Sequence, residues 1–399
     1  MTPERAVIVG ASHAGAQLAA NLRREGWSGE VVLIGDEGGL PYHRPPLSKG
    51  YLAGKNGLDD LLIRGADFYE KQHIRLLNAT VEAIHRCAKR VSLSTGDTLA
   101  YTKLALCTGA RPRRLTTPGV DLPGIHYLRT AADVELIRAA ATPGRRVVIV
   151  GGGYIGLETA ASLCSLGLNV TVLEATERVL ERVTAPEVSA FYTRIHRGEG
   201  VEIRTHALVE AFSGNGGVQE VVLADGELIP ADLVIVGVGV VPNTELASAA
   251  GLSVDNGIVI DDQARTDDPD IVAAGDCTSH TMARYGSRIR LESVSSAGEQ
   301  AKIAAATICG KHRSIAALPW FWSDQYDLKL QIAGLNAGYD EVLLSGDPSR
   351  DRDFSCFYFH DSQLIAADCV NRPRDFMSSK RAISQQLRVD RSELLAGSI

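Results

Sequence analysis

Two glycine-rich turns, each set between a short apolar run and an Ala/Leu-rich stretch, constrain this chain more than any other feature. The first reads Gly10-Ala11-Ser12-His13-Ala14-Gly15 and follows Ala6-Val7-Ile8-Val9. The second reads Gly151-Gly152-Gly153-Tyr154-Ile155-Gly156 and follows Val147-Val148-Ile149-Val150. A strand that turns on glycine into a helix brings unpaired N–H groups and the positive end of the helix dipole to one point, which suits a phosphate. The first glycine permits the turn, the second lets backbone approach a pyrophosphate, and the third lets helix pack on strand. A chain that builds this device twice is expected to hold two dinucleotides and to pass electrons between them.

The second loop has all three glycines, Gly151, Gly153 and Gly156, with Glu174 at the end of the next apolar run, 23 positions beyond Gly151. A carboxylate there accepts hydrogen bonds from ribose hydroxyls and repels a 2′-phosphate, which favours NADH over NADPH. Arg178, four residues on, is expected to temper that preference. The first loop departs from the pattern, with Ser12 in the place of the second glycine. Serine is small and its hydroxyl can donate to a phosphate. Asp36 takes the ribose position. For either loop alone the plain alternative is a glycine turn in an ordinary βα unit.

At 399 residues the chain calls for two or three domains. A net charge of −7 argues against general nucleic-acid binding. The longest apolar run, Leu233 to Val241, falls well short of the roughly 18 residues of a membrane span. The chain enters its first strand without a signal-peptide pattern, so a cytoplasmic location is expected. Seven cysteines are scattered without a CxxC pair or a zinc-like quartet, so neither a disulfide framework nor a metal centre is expected.

Along the chain, Pro41-Tyr42-His43-Arg44-Pro45-Pro46-Leu47-Ser48-Lys49 forbids a regular helix or central strand. It is either a connector or the wall of a site. A strand-rich stretch from about 75 to 106 runs into Thr108-Gly109-Ala110. The second unit restarts near Gly144, with a helix expected at about 155–166. A strand is expected before Gly275-Asp276 and a helix at about 296–309. From Leu318 the pattern changes to Pro319-Trp320-Phe321-Trp322, alternating apolar residues and a basic, Ser-rich end. The stretch 245–315 has no phosphate loop and is expected to complete the first unit. The predicted architecture is α/β. It has two Rossmann-like dinucleotide-binding domains, at 1–113 with 245–315 and at 114–244, plus a small α+β domain at 316–399.

The ordered pieces Pro41-Tyr42-x-Arg44-Pro45-Pro46-Leu47-Ser48-Lys49, Thr108-Gly109-Ala110, Gly151 to Gly156 with Glu158, Gly237-x-Gly239-x-x-Pro242-Asn243, Gly275-Asp276 and Trp320-Phe321-Trp322-Ser323-Asp324-Gln325 resemble those of the FAD-dependent ferredoxin reductases of bacterial cytochrome P450 and aromatic dioxygenase systems. The resemblance covers nearly the entire chain. It implies a glutathione-reductase-like fold with FAD in the first unit and exchangeable NADH in the second. It further implies electron delivery to a [2Fe–2S] ferredoxin that feeds a cytochrome P450, or alternatively an aromatic-ring dioxygenase.

By position, the resemblance assigns to FAD the residues Gly10, Ser12, Ala14, Gly15, Asp36, Arg44, Pro46, Lys49, Val81, Thr108, Gly109, Arg129, Asp276 and Val294. It assigns Gly151, Gly153, Tyr154, Ile155, Gly156, Glu174 and Gly239 to the nicotinamide nucleotide. Lys49 and Glu158 are the implied catalytic pair. A cation near the flavin stabilises the electron-rich reduced ring, and Glu158 is either its ion-pair partner or merely an acid favoured by the helix dipole. Tyr154 is expected where nicotinamide stacks, or as a packing aromatic. The implied partner is an acidic ferredoxin, for which Arg64, Lys302, Trp322, Lys329, Arg374, Lys380 and Arg381 are candidate docking residues.

Three other functions share parts of this pattern. A disulfide reductase or NADH peroxidase needs a reactive cysteine on the flavin-facing segment, and Tyr42 to Lys49 has none. A flavin-bound signalling protein of the apoptosis-inducing-factor type is expected to carry targeting segments. Direct reduction of a small molecule by the flavin stays open.

Overall fold

The β-branched runs that precede the glycine turns become the central strands of two parallel sheets. In the computed structural model, which describes residues 4–396, the chain clusters into two units. One comprises Met1–His43, Asp59–Arg111 and Val241–Pro319, and the other Arg44–Leu58, Pro112–Val240 and Trp320–Ile399.

In the first unit Arg5–Val9 lies between Glu30–Gly35 and Lys103–Leu106, with Ile74–Asn78 and Ile271–Ala273 at the edges, all parallel. Val7, Ile8, Val31, Val32 and Leu104 are fully buried. Continuous apolar runs of this kind mark strands covered on both faces. The Ala-rich helices His13–Glu25 and Val294–Ile308 pack against each other. The latter begins two residues earlier than the sequence pattern suggests, because Ser293 caps it by accepting the Ser296 N–H at 3.2 Å. A three-stranded antiparallel sheet, Val81–His85, Arg90–Leu93 and Thr98–Ala100, accounts for the strand-rich stretch.

The second unit repeats the plan. Arg146–Val150 lies between Asn169–Leu173 and Leu233–Val236, with Glu202–Arg204 and Ile125–Tyr127 at the edges. Its helix starts at Tyr154 rather than Ile155. The apolar run to Val241 is not one strand, because Gly239 turns at φ 95° before the chain resumes at Val240–Pro242. The residues from Trp320 form a five-stranded antiparallel sheet with Gln363–Val370 at its centre, joined by the helix Pro373–Gln385. Both faces of its strand Phe354–His360 are covered. Ser355 Oγ donates to Asp375 on the helix at 2.6 Å, and the Phe354 ring meets Phe191 edge-on at 4.8 Å. The Pro-rich Arg44–Leu58 segment also belongs to this unit. Pro45–Ser48 is a single 3₁₀ turn, and Ser162 Oγ of the second loop helix donates to Ser48 O at 2.7 Å. Among the described residues, no helix is long and apolar enough to cross a membrane.

Candidate nucleotide and redox sites

Open parallel sheets bind ligands at the carboxyl ends of their strands, where strand order reverses. In the first unit those ends carry Gly10, Asp36, Thr108, Gly109 and Asp276. Gly10 adopts φ 108°, and a Cβ there would lie 2.0 Å from Cys107 O. A Cβ on Gly15 would lie 1.9 Å from Gly10 O. No larger residue fits this turn. Ser12 is the N-cap residue of the loop helix, and Ala14 lies just inside it. A Cβ on Gly275 would come 3.0 Å from the Ala14 Cβ, so the two must both stay small. Thr108 is locked to Asn243 by two hydrogen bonds of 2.6 and 2.8 Å. Val294 is the first residue of its helix and Val81 is buried at the start of its strand. Asp36 is exposed.

The second loop repeats the turn. Gly151 has φ 111°, with a Cβ position 2.4 Å from Gly237 O, and a Cβ on Gly156 would lie 2.1 Å from Gly151 O. At Gly153 a Cβ would meet nothing within 4 Å. Packing therefore does not explain that glycine, whereas close approach of a pyrophosphate to the helix N-terminus does. This cradle fits a dinucleotide. Glu174 Oε2 accepts the Gly152 N–H at 2.7 Å, and Oε1 accepts from Thr176 N and Oγ1, both at 2.9 Å. The Arg178 guanidinium donates to Thr184 O, Ser189 Oγ and Glu181 O. Ile155 is exposed, and the Tyr154 ring lies 4.9 Å from Phe321. The Tyr154 hydroxyl is buried with no hydrogen-bond partner, and burial pushes its ionisation well up.

Within the same unit, Lys49 Nζ lies 2.6 Å from Glu158 Oε2. Glu158 is 4 % exposed on the second loop helix, and Lys49 follows the Pro45–Ser48 turn. The position of Glu158 is therefore more than a dipole preference. A buried carboxylate is tolerated only when paired and hydrogen-bonded. Two residues that the sequence pattern did not single out meet this need, since Ser48 Oγ donates to Oε2 and Ser323 Oγ to Oε1, each at 2.6 Å. The signal available was polar residues set inside otherwise apolar context, at Leu47-Ser48-Lys49 and Trp322-Ser323-Asp324-Gln325. Arg44 Nη1 donates to Arg129 O at 2.7 Å, and Pro46 O accepts from Lys49 N and Tyr51 N, both at 3.0 Å.

The docking candidates divide between the units. Arg64 and Lys302 belong to the first. Arg64 is half-buried, bonds Gln17 Oε1 at 3.0 Å and lies over the Phe68 ring, while Lys302 is exposed. In the second, Arg374, Lys380 and Arg381 share the Pro373–Gln385 helix, and Lys329 is exposed on the adjoining sheet. The Lys380 ammonium lies 4.7 Å from the centre of Trp320, which stacks on the half-buried Trp322 at 5.4 Å. Burial lowers the Lys380 pKa. Lys380 is thus part of an aromatic stack, whereas Arg374 and Arg381 are fully available charges.

Comparison with known proteins agrees with this construction. Residues 4–301 match the pyridine nucleotide-disulphide oxidoreductase family model and residues 320–398 the reductase C-terminal model. Putidaredoxin reductase CamA of Pseudomonas putida is 47% identical, over 97% of this chain and 93% of that protein. The ferredoxin–NAD(+) reductase component of the anthranilate 1,2-dioxygenase system of Burkholderia cepacia is 42% identical, over 99% and 97%. The crystal structure of the covalent putidaredoxin reductase–putidaredoxin complex superimposes with a TM-score of 0.95, at 45% identity and 99% coverage of both chains. The expected glutathione-reductase-like α/β fold and the resemblance to ferredoxin reductases, putidaredoxin reductase among them, are borne out. The chain belongs to the pyridine nucleotide-disulphide oxidoreductase family and, within it, to the FAD-dependent ferredoxin reductases.

Proposed function

We propose that the chain carries electrons from NADH through FAD to an acidic [2Fe–2S] ferredoxin that feeds a cytochrome P450. The observation that carries this reading is the ion pair of Lys49 with the buried Glu158, beside the Gly151–Gly156 cradle, in a chain that also has the Gly10–Gly15 cradle. FAD supplies a centre that takes two electrons together and releases them singly. The reading assigns FAD to residues 1–113 with 245–315 and NADH to 114–244, leaving 316–399 for the partner. The resemblance adds Arg44, Pro46, Lys49 and Arg129 to the flavin set. The cradle glycines and helix N-termini bind the pyrophosphates. Glu174 keeps one free lone pair, on Oε2, for a ribose hydroxyl and repels a 2′-phosphate. Lys49 supplies positive charge that favours the reduced flavin, and Glu158 keeps that charge in place.

The family name mentions disulphides, but this chain does not read as a thiol enzyme. Tyr42 to Lys49 contains no cysteine. Cys107 and Cys277, at the strand ends of the first unit, are buried, which raises both thiols and makes them poor nucleophiles. The reading places the protein in the cytoplasm, where NADH is supplied. The dioxygenase-linked relative supports a second reading, delivery to an aromatic-ring dioxygenase. Anaerobic mixing of the yellow protein with NADH is expected to bleach the flavin faster than NADPH does. Cytochrome c reduction is expected to rise on adding a purified [2Fe–2S] ferredoxin. Bleaching without a ferredoxin-dependent gain would overturn the proposal.

A further inference from the structure

The hydroxyl that Ser323 presents to Glu158 is itself held by a chain of buried polar groups in the second unit. Ser323, Gln325 and His196 are each no more than 1 % exposed. Ser323 Oγ accepts from Gln325 Nε2 at 3.2 Å, Gln325 Oε1 meets His196 Nε2 at 2.7 Å, and Tyr326 OH meets His196 Nδ1 at 3.2 Å. The donor and acceptor roles follow by elimination. A hydroxyl has one proton, and Ser323 spends it on the carboxylate, so it must accept from Gln325. An amide nitrogen only donates and an amide oxygen only accepts, so the His196 Nε2 must carry hydrogen. Its Nδ1 then accepts from Tyr326. Every donor in the chain points toward Glu158. Burial lowers the His196 pKa to about 4, so the ring is neutral near neutral pH and this one tautomer stands.

We infer that His196 and Gln325 are positioning residues for the Lys49–Glu158 pair, holding Ser323 as a donor so that the carboxylate keeps one orientation toward Lys49. The chain orients rather than conducts, because a proton could pass Gln325 only if its amide changed tautomer. The inference rests on the reading that this pair serves NADH-dependent flavin reduction. His196 lies on the helix Pro186–Gly198 and makes no direct contact with the pair, so it acts only through Gln325 and Ser323.

The test pairs a geometric readout with a kinetic one on the FAD-loaded protein. Ring 15N shifts of His196, assigned with a His196→Gln variant, are expected to show hydrogen on Nε2 and an accepting Nδ1 at neutral pH. In stopped-flow mixing with NADH, His196→Leu is expected to lower the limiting rate of flavin bleaching about tenfold, with little change in the NADH concentration for half-saturation. His196→Gln is expected to recover most of that loss, because a Gln amide nitrogen reaches the place of Nε2 and donates to Gln325. A packing role predicts the reverse order, since Leu fills the site without burying a polar group. If His196→Leu fails to fold, Ser323→Ala removes the same terminal donor and is expected to show the same rate loss. A His196 ring with hydrogen on Nδ1, or Leu performing as well as Gln, overturns the inference. If NADH does not bleach the wild-type flavin, the functional reading fails, while the tautomer still tests the geometry.

Discussion

At the second glycine position the first nucleotide loop has Ser12, whereas the second has Gly153, where a Cβ would meet no protein atom within 4 Å. The two turns are otherwise made alike, by positive φ and by carbonyls that leave no room for a side chain. The acids differ as well. Asp36 is exposed at the end of its strand, while Glu174 uses both oxygens to brace Gly152 and Thr176. The sheets are also closed differently. The first unit takes its edge strand Ile271–Ala273 from beyond the second nucleotide loop, and the second takes Ile125–Tyr127 from just before its own. The lesson is that the shared turn fixes where a pyrophosphate goes. On the proposed reading, the residues around it separate a site that keeps its nucleotide from one that exchanges it.

The largest expected effect breaks the turns one at a time. Gly10→Ala would put Cβ 2.0 Å from Cys107 O, and Gly151→Ala 2.4 Å from Gly237 O, each at positive φ. Overpacking and left-handed strain together cost roughly 2–5 kcal/mol. Gly10→Ala is expected to purify without flavin, by the absorbance ratio of flavin to protein. Gly151→Ala is expected to keep its flavin, to be bleached by dithionite and to resist NADH. Equal flavin loss in both variants would mean the two loops do not serve separate nucleotides.

Ion-paired carboxyls of the first unit and one buried carboxyl of the second respond to acid in opposite senses. In the first, Glu25 and Asp270 are held low, chiefly by hydrogen bonds from Lys311 and Lys103 respectively. Their contributions are present above the ordinary carboxylate range and are lost as pH falls. In the second, burial pushes Asp368 up from 3.8 to about 6, against hydrogen bonds from Tyr358 and Thr184. Its folded state holds the proton more tightly, so its contribution favours folding at low pH and is lost as pH rises through about 6. The difference corresponds to about 3 kcal/mol. Only the part above pH 5 is read between pH 5 and pH 8, so Asp368→Asn is expected to gain about 1.4 kcal/mol relative to wild type over that range. Urea unfolding in a Trp27→Phe background, with only Trp320 and Trp322 fluorescing, reads the second unit. A gain independent of pH would sink the assignment.

What was legible in the chain followed from local sterics and from burial on both faces. Val147 to Val150 reads as a central strand because both faces are apolar, and Gly151 reads as a turn because nothing larger fits. The Lys49–Glu158 pair was implied by resemblance, since Lys49 and Glu158 are 109 residues apart and no spacing rule joins them. Nearness in sequence did not show how Arg178 is held, whereas its three internal acceptors do. His196 has no local signature, and Ser323 and Gln325 have only that of polar residues set in the apolar Trp320–Gln325 run. Their roles exist only once a helix and a strand distant in sequence are packed together.

Glu174 sharpens the comparison at the level of ligand choice. Glu174→Ala removes both the ribose acceptor and the brace on Gly152, so KM for NADH is expected to rise about tenfold. NADPH should lose less, because repulsion of its 2′-phosphate goes with the carboxylate. Flavin content should not change, since Glu174 belongs to the second loop alone. Ferricyanide reduction with each nucleotide measures the ratio, and an equal loss for both would leave Glu174 as a brace only.

The smallest effect leaves both loops intact and probes the remaining surface. Arg374 and Arg381 are exposed on the Pro373–Gln385 helix, whereas Lys380 rests on Trp320. Reversing Lys380 would push a carboxylate against the indole and mix docking with packing. Arg374→Glu with Arg381→Glu changes surface charge by four units without touching that stack. Rim charges act mainly on association and its salt dependence. KM for a purified [2Fe–2S] ferredoxin is expected to rise several-fold at low ionic strength, with the gap narrowing as salt screens it. NADH-dependent bleaching should stay at the wild-type rate, because neither arginine belongs to a nucleotide loop. A matching fall in bleaching would mean that this helix supports the nucleotide sites instead of meeting a partner.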